Sequence, residues 1–207
     1  MNDQHTDVAL EPEDSARAGF YALLARLYAN APDAPLLAAI AAADPLAPPA
    51  DGDANSIASA WKSLCSTSSV TDPVAVGDEF QALFVGVGRS EVSLYASHYL
   101  GPQSGRPLAE IRATLAGLGL ARQQGSSEFE DHLSVELETM RMLVAGDADR
   151  PPALIPEQRA FCERYLIPWV FDCCAAISQN PIANYYRQVA SFTHCFLALE
   201  RDSFAIE

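Results

Sequence analysis

The chain has 207 residues, 49% of them hydrophobic, which is enough apolar material for a sizeable core. It carries 13 Lys and Arg against 27 Asp and Glu, a formal charge of −14, so it should repel nucleic acid and anionic lipid and attract basic partners. Alanine and leucine outweigh valine and isoleucine in the apolar fraction, which favours helices over sheets. Residues 1–12 are polar and acidic and read as a disordered tail, with the globular part over 13–207. A first helix is predicted over 13–29, with Phe20, Leu23, Leu24, Leu27 and Tyr28 on one face. A short helix over 35–43 follows, then a Pro- and Gly-bearing loop over 44–53 and a third helix over 55–66 with Ile57, Trp61 and Leu64 together.

Asp72-Pro73 reads as a helix start. The helix it opens carries Val76, Phe80, Leu83 and Phe84 and runs out at Gly86-Val87-Gly88. Residues 88–105 look irregular, and a hinge loop is expected near 101–105. A helix over 107–118 precedes the most regular one, 127–145. There Ser127 and Glu130 have capping-box spacing, and Phe129, Leu133, Leu137, Met140 and Val144 form the expected buried stripe. Two long helices are predicted over 156–179 and 181–201, the first interrupted at Pro168. No segment alternates like a strand, so the fold class is all-α, a single globular helical domain.

The residues that invite a chemical reading are Glu130-Asp131-His132. A metal site would need further ligands, and His132-x3-Glu136 is not the His-Glu-x-x-His pattern. Cys162, Cys173, Cys174 and Cys195 fall on helix faces expected to be buried, where a thiol without a cationic neighbour is unreactive. With Cys65 they make an odd set of five without a Cys-x-x-Cys, which suits a reducing compartment. Gly86-x-Gly88 lacks the Gly-Lys-Ser/Thr of a phosphate loop. The reading is therefore of a protein with no catalytic residues, no metal and no cofactor of its own. The N-terminus lacks a signal-peptide pattern, and no run of about 18 apolar residues is free of charge, so neither export nor membrane insertion is expected. Aromatic residues beside carboxylates make a plausible peptide groove, rings packing apolar side chains and carboxylates pairing with arginine.

Four segments carry a family resemblance: Phe80-Gln81-Ala82-Leu83-Phe84-Val85-Gly86, Leu94-Tyr95-Ala96-Ser97-His98-Tyr99, Glu130-Asp131-His132 and Leu166-Ile167-Pro168-Trp169. In order and spacing they resemble the TorD/DmsD (NarJ-related) family of redox-enzyme maturation chaperones. The chain departs from the family pattern at Leu94 and Phe129, where members usually have proline. The resemblance implies a non-enzymatic cytoplasmic chaperone of TorD-like fold. It would bind the apo-subunit of a molybdoenzyme, of formate dehydrogenase or S-/N-oxide reductase type, and its N-terminal twin-arginine leader, and assist cofactor insertion. It implies that Phe80, Leu83, Phe84, Leu94, Tyr95, Tyr99, Glu130, Asp131 and His132 line or support the peptide-binding region. A monomer or a domain-swapped dimer is compatible with it. Two other readings stay open: a helical adaptor that binds partner helices, and a metal-dependent hydrolase using Asp131, His132 and Glu136.

Overall fold

The structure, a computed structural model, describes residues 10–47, 56–86, 90–101, 106–118, 129–148 and 150–206. Its helices in chain order are α1 (Pro12–Ala29), α2 (Ala34–Ala41), α3 (Ile57–Ser68), α4 (Pro73–Phe80), α5 (Ala96–Tyr99), α6 (Arg106–Gly117), α7 (Leu133–Ala145), α8 (Ile155–Phe161), α9 (Ile167–Gln179) and α10 (Tyr185–Phe204). No strand is present among the described residues, where extended pairing is confined to the isolated bridges Tyr95–His132 and Asp147–Arg150. The fold is all-α. The expected hinge lies outside the described residues except for Gly101, as do most of the N-terminal tail and Ser127.

α1 packs along α7, and α10 packs against α3 and α9. The buried face of α1 is wider than the predicted stripe, since Tyr21 is as fully enclosed as Leu24, Leu27 and Tyr28. Phe20 stands edge-on to Trp61, Phe192 and Phe196 at 5.1–5.6 Å between ring centroids, which joins α1, α3 and α10. A polar cluster fastens α1 to α10 and to α8. Arg17 donates two hydrogen bonds to Glu200, at 2.8 and 2.9 Å, and one to Gln158, while the Tyr21 hydroxyl donates to Glu200 at 2.9 Å.

Two helices pass through a wide turn. α4 continues as a π-helical turn over Gln81–Val85 and stops at Gly86, whose φ of 63° favours glycine. α8 continues as a second π-helical turn over Cys162–Leu166. Pro168 has no N–H for the carbonyl four residues back, and the chain answers by bonding the Ile167 N–H to the Cys162 carbonyl, five residues back. The interruption predicted at Pro168 is this wide turn.

Four expectations need correction. The helix predicted over 127–145 begins at Leu133, because residues 129–132 form a turn and His132 holds the N-cap with extended backbone. The capping box of Ser127 and Glu130 is therefore not the cap, and Phe129 lies outside the helix and half exposed. The helix predicted over 181–201 begins at Tyr185, after a turn spanning 180–183. The stretch 88–105 is not wholly irregular, since Tyr99 belongs to α5. Cys195, expected to be buried, is partly exposed.

Candidate functional site

The site is built where residues 92–99 meet the start of α7. The two segments pair antiparallel for one bridge: the Ala96 N–H donates to the Asp131 carbonyl at 2.9 Å, and the Leu133 N–H to the Leu94 carbonyl at 2.8 Å. The Asp131 side chain adds a third link, its Oδ2 accepting from the Ser97 N–H at 3.2 Å. That N–H is one of the donors a helix start leaves unmatched, so Asp131 caps α5 from a distant part of the sequence. Asp131 and His132 are both buried. His132 Nδ1 accepts from the Ser134 N–H at 3.2 Å and lies 2.7 Å from the Ser134 hydroxyl, so the imidazole caps α7.

Around this junction the aromatic rings gather. Tyr95 stands edge-on to the His132 ring at 4.8 Å and lies 6.4 Å from Phe129. Tyr99 stacks on Trp169 at 5.5 Å, and its hydroxyl donates to the Ser93 carbonyl. The Trp169 indole N–H donates to Glu136 Oε2 at 3.1 Å. Glu136 is fully buried, and burial pushes its carboxyl well above the ordinary value of 4.5, with Asp131 nearby adding to the shift. A cavity of about 90 Å³ opens between Glu110, Asp131, Glu136, Arg164 and Tyr165. Glu110 at its wall is paired with Arg164 at 2.8 Å, and Glu130 is paired with Arg112 at 2.9 Å.

The predicted site residues therefore divide. Leu94, Tyr95, Tyr99, Glu130, Asp131 and His132 meet at one junction. Phe80 and Phe84 join a different ring cluster with Tyr186 of α10 and Tyr28 of α1, at 4.9–6.4 Å. Leu83 is wholly enclosed, and its carbonyl accepts from the Val92 N–H at 2.9 Å, which ties the first cluster to the second. Leu83 and Leu94 are both buried and present almost no side chain to solvent.

Sequence reasoning missed Glu79. Its carboxylate accepts from three successive N–H groups, of Asn184, Tyr185 and Tyr186, at 2.8–3.0 Å, and so caps α10 from α4. Only its place beside Phe80 in the aromatic segment gave any signal. Burial raises the thiols of Cys162 and Cys173 to about 12 and pushes that of Cys174 well above its ordinary value, which leaves them unreactive at neutral pH. Among the described residues no group of three His, Cys, Asp or Glu side chains is placed to hold a metal ion, and no helix is long and apolar enough to cross a membrane.

An all-helical bundle with a buried Asp-His junction under partly exposed rings is the setting in which the four motifs occur. Residues 50–175 match the family described as nitrate reductase delta subunit, and the chain belongs to that family, within which the TorD-type motifs fall. It is 30% identical over 101 residues to the chaperone protein TorD of Photobacterium profundum, covering 44% of this chain and 46% of that one. It is 32% identical over 105 residues to the perchlorate reductase assembly chaperone protein of Dechloromonas aromatica, covering 45% and 47%. These two matches span about half the length of each relative. A third, to the chaperone protein TorD of Shewanella loihica, is 24% identical over 205 residues, covering 91% and 93%.

Proposed function

We propose that this chain is a system-specific chaperone that binds the immature catalytic subunit of a molybdopterin-dependent oxidoreductase and assists its cofactor insertion and assembly. The observation that carries the reading is the junction of Asp131 and His132 with Leu94, Tyr95 and Tyr99, inside the segment that matches the family. The chaperone names of the three relatives support it. The client segment is the N-terminal twin-arginine leader: rings cover its apolar run, and carboxylates face its guanidinium groups. The net charge of −14 draws such a basic segment in. Asp131 and His132 act here by holding the surface in shape.

The protein works in the cytoplasm, without catalysing a reaction, as a monomer or a domain-swapped dimer. The client is of formate dehydrogenase or S-/N-oxide reductase type. Deleting the gene in its host and assaying each molybdoenzyme tests this. The activity and molybdenum content of one enzyme should fall while the others hold. If all molybdoenzymes keep full activity and metal, the proposal is wrong.

A further inference from the structure

Phe129 stands at the turn that precedes α7. It exposes 50% of its surface. Its carbonyl accepts the His132 N–H at 3.0 Å, which closes the turn, and the carbonyl of Asp131 and N–H of Leu133 are bonded to Ala96 and Leu94. The ring is therefore carried on backbone tied at three points. It faces Tyr95, which faces buried His132, so three rings run from solvent to core.

The residue after it is Glu130, which holds a guanidinium: Arg112 Nε of α6 is 2.9 Å from Glu130 Oε2. Exposure is lopsided across this pair, 12% for the Glu130 side chain and 47% for Arg112. The carboxylate is fixed in place, and the arginine is the partner with room to leave. The pair is open to solvent on its arginine side, where another cation could approach. A rigid aromatic is a good anchor, because covering it removes apolar surface from water at little cost in side-chain freedom.

We infer that Phe129 and the Arg112–Glu130 pair form a two-point recognition surface for an extended segment in which an arginine is followed closely by an apolar side chain. The segment's arginine takes Arg112's place on Glu130, and Phe129 covers the apolar group. The adjacency of the two points fits an extended chain, which advances about 3.3–3.6 Å per residue. Arg112 is thus an internal competitor. It turns away ligands that offer a cation alone, and the apolar contact at Phe129 selects those that offer both. This inference rests on the leader-binding reading and adds two residues to it.

The test uses the full chain and a fluorescein-labelled synthetic peptide with two consecutive arginines followed by a leucine- and phenylalanine-rich run, with Kd read by anisotropy. Phe129→Ala should weaken binding about ten-fold or more, as loss of a central aromatic contact does. Arg112→Gln should tighten it about two- to five-fold, because the competing arginine is itself half in solvent. That gain should vanish when glutamines replace the peptide's arginines. Unchanged Kd in Phe129→Ala, or weaker binding in Arg112→Gln, overturns the inference while wild-type binding leaves the leader reading standing. Both side chains are substantially exposed, so the variants should melt as the parent does; the two effects have opposite signs, so simple destabilisation cannot mimic the pattern. A wild-type chain that does not bind the peptide overturns the leader reading and this inference with it.

Discussion

Asp131 caps a helix that is not its own: its Oδ2 accepts the Ser97 N–H at 3.2 Å across 34 positions of sequence. The carboxylate thereby fixes the turn that carries Tyr95 and Tyr99 against the start of α7. The part we propose for it in client binding is to hold that surface in shape. Asp131→Ala removes a buried, charge-assisted cap and should cost about 1–3 kcal/mol of stability. It should also weaken client binding beyond what the loss of folded protein explains. Urea denaturation alongside peptide titration separates the two, and unchanged binding by a folded Asp131→Ala variant would remove Asp131 from the site.

Glu79 supplies the cap that α10 lacks in its own sequence. Three N–H groups converge on one carboxylate, at the end of the helix where negative charge is favoured. Glu79→Ala should cost about 2–3 kcal/mol, since it strands several donors. Glu79→Gln keeps one acceptor oxygen and should fall between that variant and the parent. Chemical denaturation of the three proteins gives the order directly, and equal stability of all three would show that water satisfies the helix start.

The buried Glu136 carboxyl gives the fold a pH dependence of unusual sign. Its folded pKa is raised, so between the ordinary value of 4.5 and the folded value the native state holds a proton that the unfolded chain has lost. With more protons bound in the native state, stability falls as pH rises through that window. Glu136→Gln keeps an oxygen to accept the Trp169 N–H but does not titrate. The variant should gain on the parent as pH rises from 5 towards 8, and match it most closely at the acid end. Thermal melts across that range test the sign; a parent that gains on the variant with rising pH would refute it.

The helix periodicities and the break at Pro168 were legible in the sequence, because each depends on local pattern; the grouping of Tyr95, Tyr99, Asp131 and His132 came only from the family resemblance. The start of α7 was not. Ser127 and Glu130 satisfy a capping rule, yet the bridge to residues 94–96 holds the backbone extended through His132 and delays the helix to Leu133. A pairing between segments more than thirty positions apart leaves no local trace. The same holds for Glu79, whose donors lie over a hundred positions away, and for the Arg17–Glu200 pair. Phe129 was misplaced for a related reason, since an apolar residue in register with a helical stripe looks buried until the helix is found to begin after it.

Gly146 ends α7 at φ 70°, and the geometry admits no side chain. A Cβ there would lie 2.5 Å from the Arg150 carbonyl oxygen and 2.8 Å from the Pro151 carbonyl carbon, both backbone atoms. Gly146→Ala combines this clash with a backbone conformation nearly closed to other residues. A loss of about 2–4 kcal/mol is expected, at the upper end for single substitutions. A melting temperature within one or two degrees of the parent would show that the 146–151 turn can move aside.

Whether this chain holds an immature molybdoenzyme subunit is answered by affinity capture of the tagged full chain from its host, grown under conditions that induce molybdoenzymes, with partners identified by mass spectrometry. One dominant catalytic subunit should be recovered, still carrying its N-terminal leader and lacking molybdenum, and it should be lost from an Asp131→Ala, Phe129→Ala double variant. Capture of only the mature, cofactor-loaded enzyme, or of no molybdoenzyme subunit while one is being made, would contradict the proposal.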